Sequence, residues 1–180
     1  MRTRIALSAT VTALALAATG CGGSDSSDED PTAAWASGFC SAVTTWTDEL
    51  QTVTSEFSDT SNLSQDGLQS AADDVRSATE QLVDDLRGLG APETESGEEV
   101  RTALDSLSTT LESESANIEE TVDGISGLTG IPSAITAVTT SLSAMGTAFA
   151  STLQAIEAAD AGDELQTALE DSPECADISS

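Results

Sequence analysis

There is no histidine, no lysine and no tyrosine in these 180 residues. Each absence removes a class of chemistry. Without histidine there is no Ser-His-Asp or Cys-His nucleophile, no histidine-bearing zinc site and no di-iron site of the Glu-x-x-His type. Without lysine there is no Schiff base. No glycine-rich strand-to-helix loop is present to cradle phosphate. Paired-carboxylate hydrolysis needs acids alone, but acids on the faces of helices are not a cleft. A protein that is not an enzyme and carries no cofactor is therefore expected.

Aromatic residues are scarce too, at 3% against 38% hydrophobic overall. Alanine, leucine, valine and isoleucine must then fill the core, which suits helices packed at close range. No segment sustains the alternation of a strand. Positive charge is the next shortage: five arginines stand against 32 acids, for a net charge of −27. Such a surface repels nucleic acid and anionic headgroups. The acids have no recognisable metal-ligand spacing, and Asp25 to Asp30 lacks the alternation of an EF-hand. A divalent-cation-binding acidic surface is kept as a lesser alternative.

What the chain does have is periodicity. Trp35, Phe39, Val43, Trp46, Leu50, Val53 and Phe57 follow one another in steps of three and four. That spacing predicts a helix with one apolar stripe, opened by Asp30 and Pro31. A second helix starts near Asn62 or Ser64, carries Leu68, Ala72, Val75, Ala78, Leu82, Leu86 and Leu89, and stops at Gly90 ahead of Pro92. A third begins around Glu93 to Ser96, where Ser96 and Glu99 have capping-box spacing. Its stripe runs Val100, Leu104, Leu107, Leu111, a gap, then Ile118, Val122 and Ile125. Either Glu114 fills the gap as a buried acid, or Ser115 faces inward with Glu114 on the flank. The second is favoured, because an unpaired buried carboxylate is costly.

A corner at Gly124, Gly127 and Gly130 precedes a fourth helix that opens at Pro132 with the stripe Ile135, Val138, Leu142, Met145, Phe149, Leu153 and Ile156. Gly162 ends it, and a short fifth helix holds Leu165 and Leu169. The predicted fold is all-α: an antiparallel up-down-up-down four-helix bundle over residues 31–180, with a short C-terminal helix. From Gly124 to Ile156 there is no charged residue. The many hydroxyls make this a poor membrane span. Two readings remain: the fourth helix is more enclosed than the others, or Ser133, Thr136, Thr139, Thr140, Ser143, Thr147 and Ser151 form an uncharged contact face for a partner or ligand. Enclosure is weighted above contact.

The N-terminus has a basic start (Arg2, Arg4), an apolar run from Ile5 to Ala18, and then Ala17-Ala18-Thr19-Gly20-Cys21. This resembles the lipobox of bacterial lipoproteins. The resemblance covers about the first tenth of the chain. It implies a signal peptide over residues 1–20, cleavage before Cys21, acyl chains on Cys21 and retention at the outer face of the cell membrane. Ala18 stands where the lipobox usually has a larger residue. The rival is a secreted protein in which Cys21 is incidental. Residues 22–30 read GGSDSSDED, a flexible acidic tether that favours the lipoprotein. Extended, it reaches roughly 30 Å. The lysine-free, Ala/Ser/Thr/Asp-rich composition also resembles exported proteins of high-GC Gram-positive bacteria. The mature chain would keep three arginines against 32 acids, a net charge of −29.

With Cys21 set aside, Cys40 and Cys175 form an even pair in an oxidising compartment. In an up-down-up-down bundle both fall at one end, so a disulfide is predicted. In the chain-entropy model it stabilises the fold by about 5 kcal/mol. The expected role is a lipid-anchored binding module outside the membrane, with a protein or cell-envelope partner and no nucleic acid. The alternative is a carrier of a lipid-like ligand inside the bundle. The stripes leave the oligomeric state open, since they also fit a coiled-coil dimer.

Overall fold

The structure, a computed structural model, describes residues 30–57, 64–159 and 164–176, apart from the side chains of Glu56, Phe57 and Leu128. The signal segment, Cys21, most of the tether and Gly162 lie outside the described residues. Four long helices follow in order: α1 (Pro31–Phe57), α2 (Gln65–Leu89), α3 (Gly97–Asp123) and α4 (Ile131–Ala159). A short α5 (Glu164–Asp171) and a 3-10 turn at Pro173–Cys175 close the described chain. Each long helix packs on the next, α1 on α2, α2 on α3 and α3 on α4, while α5 and the last turn lie against α1. The fold is an all-α, antiparallel four-helix bundle with a short fifth helix, closed by a disulfide between Cys40 and Cys175.

Local chemistry explains most of the boundaries. Asp30 Oδ1 accepts from the Thr32 backbone N–H at 3.0 Å, and Ser64 Oγ accepts from the Gly67 N–H at 3.1 Å. These bonds satisfy donors that a helix start leaves open. α2 ends at Gly90, whose φ of 65° favours a residue without a side chain. The expected capping box at Ser96 does not form: its side chain makes no capping bond, and its φ and ψ are −96° and 8° rather than extended. Gly97 explains why. A Cβ there would collide with the Pro92 carbonyl, and the Gly97 N–H donates to Thr94 O at 3.1 Å. The chain is wound tightly under Pro92, which leaves Ser96 in turn geometry, with its carbonyl accepting from Glu99 and Val100.

The stripes meet along the bundle axis. Phe39, Leu68, Leu82, Leu107, Leu111, Ile118, Met145 and Ile156 are all fully buried. Burial of this apolar surface is the main favourable term in the fold. The three described arginines all belong to α2 and α3. Arg76 reaches Glu119 and Arg87 reaches Glu112, each at 2.8 Å across the two helices, and Arg101 pairs with Glu98 at 3.1 Å. These pairs are exposed and contribute little energy.

α4 departs from expectation. It is not more enclosed than its neighbours: it buries seven positions in 29 residues, whereas α2 buries nine in 25. The absence of charge from Ile131 to Ile156 therefore does not come from enclosure. The seam between α4 and α1 is also unlike the other three. Their backbones make little close approach, and large side chains span the gap. Phe149 of α4 lies 6.4 Å from Phe39 and 6.5 Å from Trp46, ring centre to ring centre.

Candidate binding surface

The best-defined pole of the molecule is where α1 begins. Cys40 and Cys175 are buried there, with Cα atoms 5.0 Å apart across 135 positions of sequence. Trp35 stacks on Phe39 at 5.4 Å, and its indole N–H donates to Gly90 O at 3.0 Å. Thr44 Oγ1 donates to Glu174 O at 3.4 Å. Hydrogen bonds from its own backbone N–H and from Ser172 Oγ, the latter 2.8 Å away, hold the Glu174 carboxyl below the ordinary carboxylate range. The thiols are joined to each other, so this pole is a clasp and offers no free nucleophile.

Every hydroxyl of the predicted contact face is exposed. Thr136, Thr139, Thr140, Ser143, Thr147 and Ser151 each donate to the carbonyl four residues back, at 2.8–3.0 Å. The donors are thus used inside the helix, and methyl groups and oxygen lone pairs face outward. Helical spacing divides the set. Ser133, Thr136, Thr140, Thr147 and Ser151 lie opposite the core stripe. Thr139 and Ser143 lie on the flank turned toward α1.

On that flank two hollows run along the α1–α4 seam. One, of about 330 Å³, is lined by Thr54, Leu68, Ile135, Val138, Thr139, Leu142 and Ser143. The other, of about 360 Å³, is lined chiefly by Val43, Trp46, Thr47, Leu50, Leu142, Gly146 and Phe149, with Thr44 and Asp48 beside them. Leu142 lines both, so the two hollows are neighbours along the seam and together are called the groove. Gly146 lines the second hollow, and an added Cβ there would meet nothing within 4 Å. The wall of that hollow also holds an anomaly. Trp46 is buried, yet its indole N–H has no hydrogen-bond partner. A buried tryptophan N–H usually has one, and leaving it bare costs about 1–3 kcal/mol. Neither this bare donor nor the groove beside it is visible in the spacing of residues along the chain.

Glu114 is not a buried acid. It is partly exposed and accepts from Asn117 Nδ2 at 3.4 Å, while Ser115 faces the core. Ser115 is four residues after Leu111 and three before Ile118, so it falls on the stripe. A larger cleft of about 580 Å³ beside α5 is lined by Asp30, Glu164, Asp171 and Glu174 among smaller residues. Among the described residues no three His, Cys, Asp or Glu side chains are grouped so as to hold a metal ion. No described helix is long and apolar enough to cross a membrane. No protein family, curated protein or solved structure matches the chain.

Proposed function

We propose that this protein is a non-catalytic binding module, held outside the cell membrane by acyl chains on Cys21 and meeting its partner through α4. The observation that carries the reading is the exposed face of α4 from Ile131 to Ile156, which bears no charge; the single acid of α4, Glu157, lies in its last turn, whereas α1, α2 and α3 each bear several acids. A chain with 32 acids keeps its surface soluble by charge. An exposed helix face left without any is a place where charge would obstruct contact. The partner is a protein or cell-envelope component with a neutral surface, since hydroxyls already bonded within the helix favour close packing over ionic pairing.

Two measurements test this in intact cells making the full chain. An alkynyl fatty acid should label the parent but not Cys21→Ala. A photo-crosslinking residue at Thr136 or Ser151 should give a discrete adduct that one at Asp84 does not give. Thr140→Glu combined with Thr147→Glu should abolish the adduct. Equal adducts from both faces, or an adduct indifferent to the two charges, would contradict the reading. The groove supports a second reading, a carrier of an apolar small ligand.

A further inference from the structure

We infer that the α1–α4 groove is a binding site for one uncharged alkyl chain bearing an ester or amide carbonyl, with Trp46 Nε1 as the donor that recognises the carbonyl. The inference deepens the carrier reading and rests on the protein being a binding module.

Size comes first. The two hollows are each of small-ligand volume, about 330 and 360 Å³, within the range of pre-formed sites. Sharing Leu142, they follow α4 from Ile135 to Phe149, about 21 Å at the rise of an α-helix. That length and volume suit a single extended chain. Chemistry comes second. Ile135, Val138, Leu142, Phe149, Trp46 and Leu50 supply apolar walls. The acid in the wall, Asp48, and the acidity of the whole chain disfavour a carboxylate or phosphate ligand.

The groove wall also carries a bare donor. Trp46 Nε1–H is buried without an acceptor, in a side chain that forms part of the groove wall. Five buried hydroxyls, those of Thr32, Thr79, Thr94, Ser108 and Ser115, also lack a partner; Trp46 Nε1 differs from them in belonging to a side chain that lines a hollow where a ligand could supply the acceptor. Nε1 itself is covered in the free protein, so the proposed binding includes a turn of the indole toward the seated carbonyl. Trp35 shows the contrast: its N–H is taken by Gly90 O, and it lines neither hollow.

The test uses the full chain carrying Cys21→Ser, so that no acyl chain of its own competes, and monodecanoylglycerol as the probe. With Trp35→Phe added, Trp46 is the sole tryptophan, and there is no tyrosine to interfere. Monodecanoylglycerol below its critical aggregation concentration should give a saturable change in Trp46 fluorescence. Decanoate should bind at least tenfold more weakly. Gly146→Leu should abolish binding without lowering the melting temperature, because the position is open and leucine is the better helix former. Trp46→Phe, followed by calorimetry, should weaken binding by about fivefold, the worth of one hydrogen bond.

No saturable binding, or equal binding by Gly146→Leu, would overturn the inference. So would Trp46→Phe with unchanged affinity. If binding fails while the charges at Thr140 and Thr147 still remove the cellular adduct, the groove assignment falls and the binding module stands. If binding holds and the adduct is absent, the groove stands and the outer face of α4 does not.

Discussion

Two tryptophans on one helix sit in two different kinds of structure. Trp35 is at the clasped pole, stacked on Phe39, bonded to Gly90 and close to the Cys40–Cys175 disulfide. Trp46 is three turns further along α1, at a seam where the backbones stand apart and its N–H has no partner. At the pole the indole N–H and both thiols are paired within the chain. At the seam the chain supplies walls and a donor and leaves the acceptor out. The difference teaches where to look for function in a protein with no reactive side chains: at the place where packing is left incomplete.

The sharpest way to break the comparison is to open the clasp. Cys40→Ser with Cys175→Ser should cost about 5 kcal/mol, a large part of a typical domain's total stability. The melting temperature of the oxidised parent should fall toward that of the double variant on adding reductant. An unchanged melting temperature would mean that the pole does not hold the bundle.

Next in size is a matched pair of leucines. Leu111→Ala, in the filled core, should cost about 3 kcal/mol, whereas Leu142→Ala, in the wall of the groove, should cost about 1. Denaturant unfolding of both variants checks the contrast. Equal losses would mean that the α1–α4 seam is as tightly packed as the axis. Smaller, and of opposite sign, Gly146→Ala should stabilise by up to about 1 kcal/mol, since glycine in an open helical position costs that much relative to alanine.

The smallest effect concerns pH. The Glu174 carboxyl is held below its ordinary range by its own backbone N–H and by Ser172. A depressed folded value means that its contribution is present above the unfolded pKa and is lost as pH falls through the folded one. Glu174→Gln should therefore lower the melting temperature slightly at pH 7 and not at all in strong acid. A difference that persists in acid would assign the effect to packing and not to the charge.

Much of this fold was legible in the sequence, and for stated reasons. Steps of three and four place Val75, Leu82 and Leu86 on one side of α2, and Leu104, Leu107 and Leu111 on one side of α3; all six are buried. The cysteine pair followed from helix number and direction. Other features were not legible, because one-dimensional spacing does not carry them. A charge-free helix reads the same whether it is enclosed or is exposed with its hydroxyls turned back on its own carbonyls, as at Thr136 and Thr140. The capping box at Ser96 had the right residues, but the close approach of Gly97 to Pro92 overrode it. The groove depends on how far α4 stands from α1, a distance set by side chains from both helices. Trp46 looked like one more apolar step in the stripe, and it is that, with a donor that the stripe does not serve.

The most direct test is to watch the two indole N–H signals by nitrogen–proton correlation NMR, since the chain has two tryptophans. The Trp35 signal should lie downfield, as a hydrogen-bonded indole does. The Trp46 signal should lie upfield of it and move downfield on addition of monodecanoylglycerol, with Trp35 unmoved. If Trp46 is already bonded in the free protein, or if neither signal responds, the seam is not a waiting site and the account fails at its centre.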